Sequence, residues 1–151
     1  MKNIQDALEK HFYFLVKKGY HPPSIKTSSK EFSMVYVPKN PTYSTLLICY
    51  DRYGLPYFQL TPPPVKPLTH PTIHFSLLEA IQQINPPLFS ALAHYDQQAN
   101  TFPQLNHAFK LLADFLHLHF SLLVSCSPAL LKKITSNRHE GGATSKSFTK
   151  T

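Results

Sequence analysis

An α+β fold is predicted for this 151-residue chain from three observations. An amphipathic helical period opens the sequence, three β-rich segments separated by Pro, Asn or Gly follow, and two capping-box signatures then introduce helices. The expected architecture is an N-terminal helix, a three-stranded or slightly larger antiparallel meander, a short helix, and a long C-terminal helix packed on the sheet. A domain of this size buries about 68–70% of its unfolded surface, so it needs no disulfide or metal to hold a core. Residues 1–134 are expected to form that single domain.

From Asn3 to Lys18, Ile4, Leu8, Phe12 and Leu15 fall on one helical face, with Asp6, Glu9, Lys10 and Lys17 opposite. Gly19 closes the helix, and His21-Pro22-Pro23 keeps the chain extended. The segments FSMVYV (32–37), YSTLLICY (43–50) and LPYFQL (55–60) are rich in β-branched and aromatic residues and read as the meander. Between the last two, Asp51 and Arg52 begin a turn that Gly54 permits by accepting positive φ, and Cys49 is expected to point into a packed face. Residues 61–71 hold five prolines and favour an extended surface linker. Ser76 and Glu79 form a capping box for a helix through SLLEAIQQI, with Phe75 and Ala80 placed for a hydrophobic staple. Residues 86–100 suit a short helix better than a strand. Thr101 and Gln104 repeat the capping-box spacing and open the longest helix, to about Val124. Its broad apolar face runs from Leu105 to Leu123 and is widened by Leu111, Leu118 and Leu122, so this helix is expected to be covered on more than one side.

The net charge of +7 is unevenly placed. Residues 1–131 carry ten Lys/Arg against seven Asp/Glu, whereas residues 132–151 carry five against one. That last stretch, rich in Ser, Thr, Gly and Lys, buries too little apolar surface to offset its ordering entropy, so residues 135–151 are expected to be a disordered basic tail. The three predicted strands carry no Lys or Arg, which speaks against an RNA-reading sheet and makes nucleic acid an unfavoured partner. The amphipathic, charged N-terminus lacks the apolar region of a secretory signal, the longest apolar stretch (115–126) is too short to span a bilayer, and Cys49 and Cys126 lack CxxC spacing. The cytoplasm is the expected location, with both cysteines as free thiols.

No GxSxG, P-loop, GxGxxG or HExxH pattern is present, and no cofactor is implied. His107, Asp114 and His117 share a polar strip that would supply two imidazoles and a carboxylate to a metal, but a solvated helix face explains the same residues, and no metal site is assigned. His119, near the centre of the apolar face, reads as a neutral core histidine.

One stretch points to kinship. Phe32 and Tyr36, Leu46 to Ile48, Tyr50-Asp51, and Pro56 after the turn containing Gly54 resemble the meander of the autophagy-type conjugating enzymes. These are relatives of the ubiquitin-conjugating fold that carry a ubiquitin-like protein as a cysteine thioester. The close match spans about 30 residues, and the order of elements around it is similar in outline. The His-Pro-Cys motif of those enzymes is missing. If residues 85–96 occupy the active-site approach, His94 is matched and Tyr95 stands where the cysteine belongs, which implies a non-catalytic relative. If residues 122–134 do so, Cys126 becomes the candidate nucleophile, flanked by Ser125 and Ser127.

The expected function is therefore a non-catalytic protein-interaction module, in the form of a degenerate ubiquitin-conjugating-like protein. Residues 67–131 contain only Glu79, Asp96, Lys110 and Asp114 as formal charges, and a surface drawn from them suits another protein or a second copy. The resemblance names a ubiquitin-like protein or its activating enzyme as that partner, and Tyr50, Asp51, His94 and Tyr95 as the contact residues. The rival reading is an active conjugating enzyme with the thioester on Cys126. A bacterial effector chaperone or toxin-neutralising protein shares the helix, sheet and helix layout, but such chaperones are usually acidic.

Overall fold

A computed structural model describes residues 2–51, 53–63, 74–125 and 127–140. The element order is α1 (Lys2–His11), α2 (Phe14–Lys17), β1 (Ser24–Thr27), β2 (Phe32–Tyr36), β3 (Thr45–Tyr50), β4 (Tyr57–Thr61), β5 (Phe75–Ser76), α3 (Leu77–Ile84), α4 (Pro86–Asp96), α5 (Phe102–Leu118), α6 (Phe120–Val124) and α7 (Pro128–Glu140). The α+β class holds, but the sheet has five strands in the order β1-β2-β3-β4-β5, every neighbouring pair antiparallel. The three expected strands are its centre. The added edges are short: Ser24–Thr27 pairs with β2, and Phe75–Ser76 adds only the pairs Leu60↔Phe75 and Gln59↔Ser76.

Register places Ile25, Met34, Ile48 and Phe58 in one cross-strand row and Tyr36, Leu46, Leu60 and Phe75 in another. Both rows lie on the same face, and every member from β2 to β5 is buried. The helices supply Leu8, Phe12, Leu15, Ala80, Ile81, Phe109 and Leu112 to the same core cluster. Each of these leucine, isoleucine and phenylalanine side chains contributes on the order of 1.5–3 kcal/mol through its removal from water. Phe12 stacks on Phe58 at 5.4 Å, which ties the first helical segment directly to β4.

Both capping boxes form. Ser76 Oγ accepts from Glu79 N (3.1 Å) while Glu79 Oε1 accepts from Ser76 N (2.9 Å), and Thr101 and Gln104 exchange the equivalent pair. Residues 86–96 are helical, started by Pro86 at the first position and by Asn85 Oδ1 accepting from Leu88 N (3.2 Å). Gly19, at φ +102°, ends the N-terminal helical region as expected.

Four expectations need correction. The N-terminal helix is not continuous to Lys18 but pauses at Phe12-Tyr13. The long helix stops at Leu118, and the chain re-enters α6 after His119, whose backbone (φ −106°, ψ 27°) leaves the helical region. At that bend Phe120 packs against Tyr20 and Tyr43 (6.2 and 5.7 Å, both edge-on). The bend leaves His119 half-buried beside Phe115 and turns Leu118 out to solvent at 79% exposure instead of packing it. Third, order does not end at Ile134: α7 continues to Glu140, with Leu130 and Ile134 buried and Ser127 Oγ accepting from Leu130 N (3.5 Å) at its start. Residues 141–151 lie outside the described residues. Fourth, Cys49 alternates with Leu46, Ile48 and Tyr50 and lies on the opposite, partly exposed face of the sheet.

Candidate functional site

The residues singled out from the sequence converge in part. Asp51 follows β3 and its Oδ1 accepts from Tyr53 N (3.1 Å), a local turn bond. Gly54, at φ +64°, sits where a Cβ would stand 2.8 Å from the Asp96 backbone oxygen and 2.9 Å from Asp96 Oδ1. That position therefore requires glycine twice, for conformation and for space. Leu55 N then donates to Asp96 Oδ1 (3.1 Å). The β3–β4 turn is thus seated on the end of α4, beside His94 and Tyr95.

Within this junction the roles differ. Tyr50 is buried, its ring tilted against Phe32 at 5.8 Å, and belongs to the core. His94 is exposed, and Tyr95 is half-buried with its carbonyl accepting from Asn100 Nδ2 (2.8 Å). Burial pushes the Asp96 carboxyl up, the Leu55 N–H holds it down in part, and the negative Asp51 raises it further. Two carboxylates, Asp51 and Asp96, therefore flank the turn. The latch from Leu55 to Asp96 is a hydrogen bond that joins the turn to α4.

Cys126, the candidate nucleophile, lies outside the described residues, as does Arg52. The chain on either side of Cys126 is anchored. Val124 O accepts from Ser44 N (2.7 Å), and Ser127 N donates to Leu122 O (3.3 Å). Cys49 is disfavoured as a nucleophile, because burial pushes its thiol up and the charge of Glu31 adds to the shift, so the thiolate is scarce at neutral pH.

The polar strip of α5 is committed to other contacts. Asp114 accepts from Lys110 Nζ (2.8 Å), and the His117 ring stacks on Phe14 at 4.5 Å. Among the described residues no group of three His, Cys, Asp or Glu side chains is placed to hold a metal, and no helix is long and apolar enough to cross a membrane.

Two features went unforeseen. The first is the outer face of the sheet, where register aligns Ser24, Val35, Leu47, Gln59 and Ser76 in one row and Lys26, Ser33, Cys49 and Tyr57 in the next. The alternation of LLICY signals a two-faced strand, but apolar residues at every position hide which face is which. The second is a clasp between α7 and the start of α3. Arg138 donates through Nε to Glu79 Oε2 and through Nη2 to Glu79 Oε1 (2.7 Å) and His74 O (3.0 Å). Burial alone would push the Glu79 carboxyl up, but the hydrogen bonds and charge of Arg138, together with the Ser76 N–H, outweigh it and hold Glu79 below its usual range. The signal for α7 was present in Ser127, Pro128, Leu130 and Ile134, a cap followed by an i, i+4 apolar pair.

Comparison with family models, with curated proteins and with solved structures finds no match to this chain.

Proposed function

We propose that the chain is a non-catalytic protein-interaction module that receives another protein on the outer face of its sheet. The observation that carries this reading is the contrast between the faces of β3. Leu46, Ile48 and Tyr50 are buried, whereas Leu47 and Cys49, with Val35 and Gln59 beside them, remain partly open and Tyr57 is 47% exposed. On β2 to β5 this face carries no formal charge, and an aromatic among apolar and small polar side chains is the composition of an interface centre. With its proton retained, Cys49 would act there as a small apolar contact.

The partner class to test first is the one the resemblance implies, a ubiquitin-like protein or its activating enzyme, in the cytoplasm; a second copy of the chain is the other. Size-exclusion with light scattering, on the chain alone and with those partners, is expected to give a complex that Leu47→Arg abolishes without changing the far-UV circular dichroism. A strict monomer in every mixture, or a complex indifferent to Leu47→Arg, overturns the reading. The thioester alternative has its own readout. With a ubiquitin-like protein, its activating enzyme and ATP, a reductant-sensitive adduct lost in Cys126→Ser would replace the non-catalytic reading.

A further inference from the structure

The end of the molecule opposite the β3–β4 turn combines exposed apolar side chains with unopposed positive charge. Three segments meet there: residues 13–21, 37–44 and 117–125. His21 N donates to Val37 O (2.9 Å), Lys39 N to Gly19 O (2.8 Å) and Ser44 N to Val124 O (2.7 Å). Phe14 stacks on His117, the Lys18 ammonium sits 5.2 Å from the Phe120 ring centre, and buried Tyr20 donates to Ser44 O (2.6 Å). The three segments are therefore joined to one another at this end of the fold.

Its composition is one-sided. None of these segments contains Asp or Glu, while Lys17, Lys18, Lys39 and His21 are all exposed. Asp114, one turn before Leu118 on α5, is paired with Lys110. The same three segments carry the exposed apolar side chains Leu118 (79% exposed), Tyr13 (55%), Val37 (46%) and Leu122 (38%). Lys17 lies over the Tyr13 ring at 5.9 Å.

We propose that this end docks on an anionic lipid surface, with Leu118, Leu122, Val37 and Tyr13 entering the headgroup boundary and Lys17, Lys18 and Lys39 on the lipid phosphates and carboxylates. Charge complementarity demands a negative occupant. The protrusion of Leu118 decides which one. A leucine four-fifths exposed at a helix bend projects from the surface and does not line a groove, so it offers no seat to an acidic helix, whereas a bilayer interface accepts projecting apolar side chains flanked by lysine and tyrosine. A nucleic-acid backbone would gain nothing from the leucines. The proposal stands independently of the sheet-face reading, because the two surfaces share no residue.

The test is flotation of the full chain with vesicles of phosphatidylcholine alone and with about 30% phosphatidylserine. Binding is expected only with phosphatidylserine, and it should weaken as salt rises. Lys18→Glu and Lys39→Glu should each lower the affinity at least about fivefold. Leu118→Asp should lower it roughly tenfold while leaving the melting temperature unchanged, since that side chain packs on little. Three results would each overturn the proposal. The chain ignores phosphatidylserine vesicles at low salt; or it binds them equally well with Leu118→Asp and Leu122→Asp, which moves the attraction to the basic C-terminal residues; or poly-glutamate, and not vesicles, is bound through Leu118.

Discussion

Leu46 and Leu47 are neighbours on β3 with the same side chain and opposite fates. Leu46 lies at 1% exposure in the row with Tyr36, Leu60 and Phe75, whereas Leu47 shares the outer face with Val35 and Gln59 and remains partly open. The two sides of one sheet thus carry different obligations. The inner side must be filled to support the fold, and the outer side is free to meet something else.

The comparison can be broken most directly by truncating each leucine. Leu46→Ala should cost about 2–5 kcal/mol, read by urea unfolding, through lost burial and the cavity left behind. Leu47→Ala should cost under about 1 kcal/mol, because that side chain is only partly buried. Equal losses would mean that the outer face is as closed as the inner one. Next in size is Gly54→Ala, expected to cost roughly 2–3 kcal/mol, since alanine at positive φ is strained and its Cβ would meet Asp96. A thermal melt of that variant shows how firmly the turn is held on α4.

The clasp at the edge of the sheet should matter less. Its side chains are 42% and 30% exposed, so Arg138→Ala is expected to cost only about 0.5–1 kcal/mol after solvent screening. The sign with pH follows from the depressed Glu79 pKa. Its contribution is complete above the ordinary carboxylate pKa and is lost as pH falls through the lower folded-state value. Melting wild type and Glu79→Gln at pH 7 and near pH ~3 should show a gap that closes in acid. The smallest effect is expected at Ser44, fully buried and with its Oγ unpartnered among the described residues. Its backbone makes the bonds to Val124 and Tyr20, so Ser44→Ala should leave stability unchanged or raise it by about 0.5 kcal/mol.

What could be read from the sequence was local chemistry. Both capping boxes, Gly19 and the three central strands rest on signals within a few residues, and each forms as expected. The harder features depended on partners distant in the chain. Phe75-Ser76 is a strand only because Leu60 and Gln59 pair with it, and two residues carry no period of their own. The bend at His119 goes with the packing of Phe120 on Tyr20 and Tyr43, and the helical apolar period that continues across it to Leu123 conceals it. The same holds for the candidate contact residues. Asp51 comes near the end of α4, the helix that carries His94 and Tyr95, because Asp96 receives Leu55, a bond spanning 41 positions, while Tyr50 is drawn into the core. Composition did not reveal that α7 runs to Glu140, since its anchoring rests on two buried side chains and one arginine rather than on average polarity.

The bond between His11 Nε2 and Asn106 Oδ1, 2.8 Å long and 95 positions apart, joins two elements that leave the ribosome at different times. A ribosome releases α1 first, and most of the chain must emerge before α5 exists to flank it. The strands β1 to β4 can pair as hairpins meanwhile, each closing short loops. Leu8, Phe12 and Leu15 lack the α5 part of their final enclosure throughout that interval, which makes α1 a segment for nascent-chain chaperones to shield. Ribosome-stalled chains ending near Asn100 should accordingly be cut by protease within α1, and released full-length chains should not.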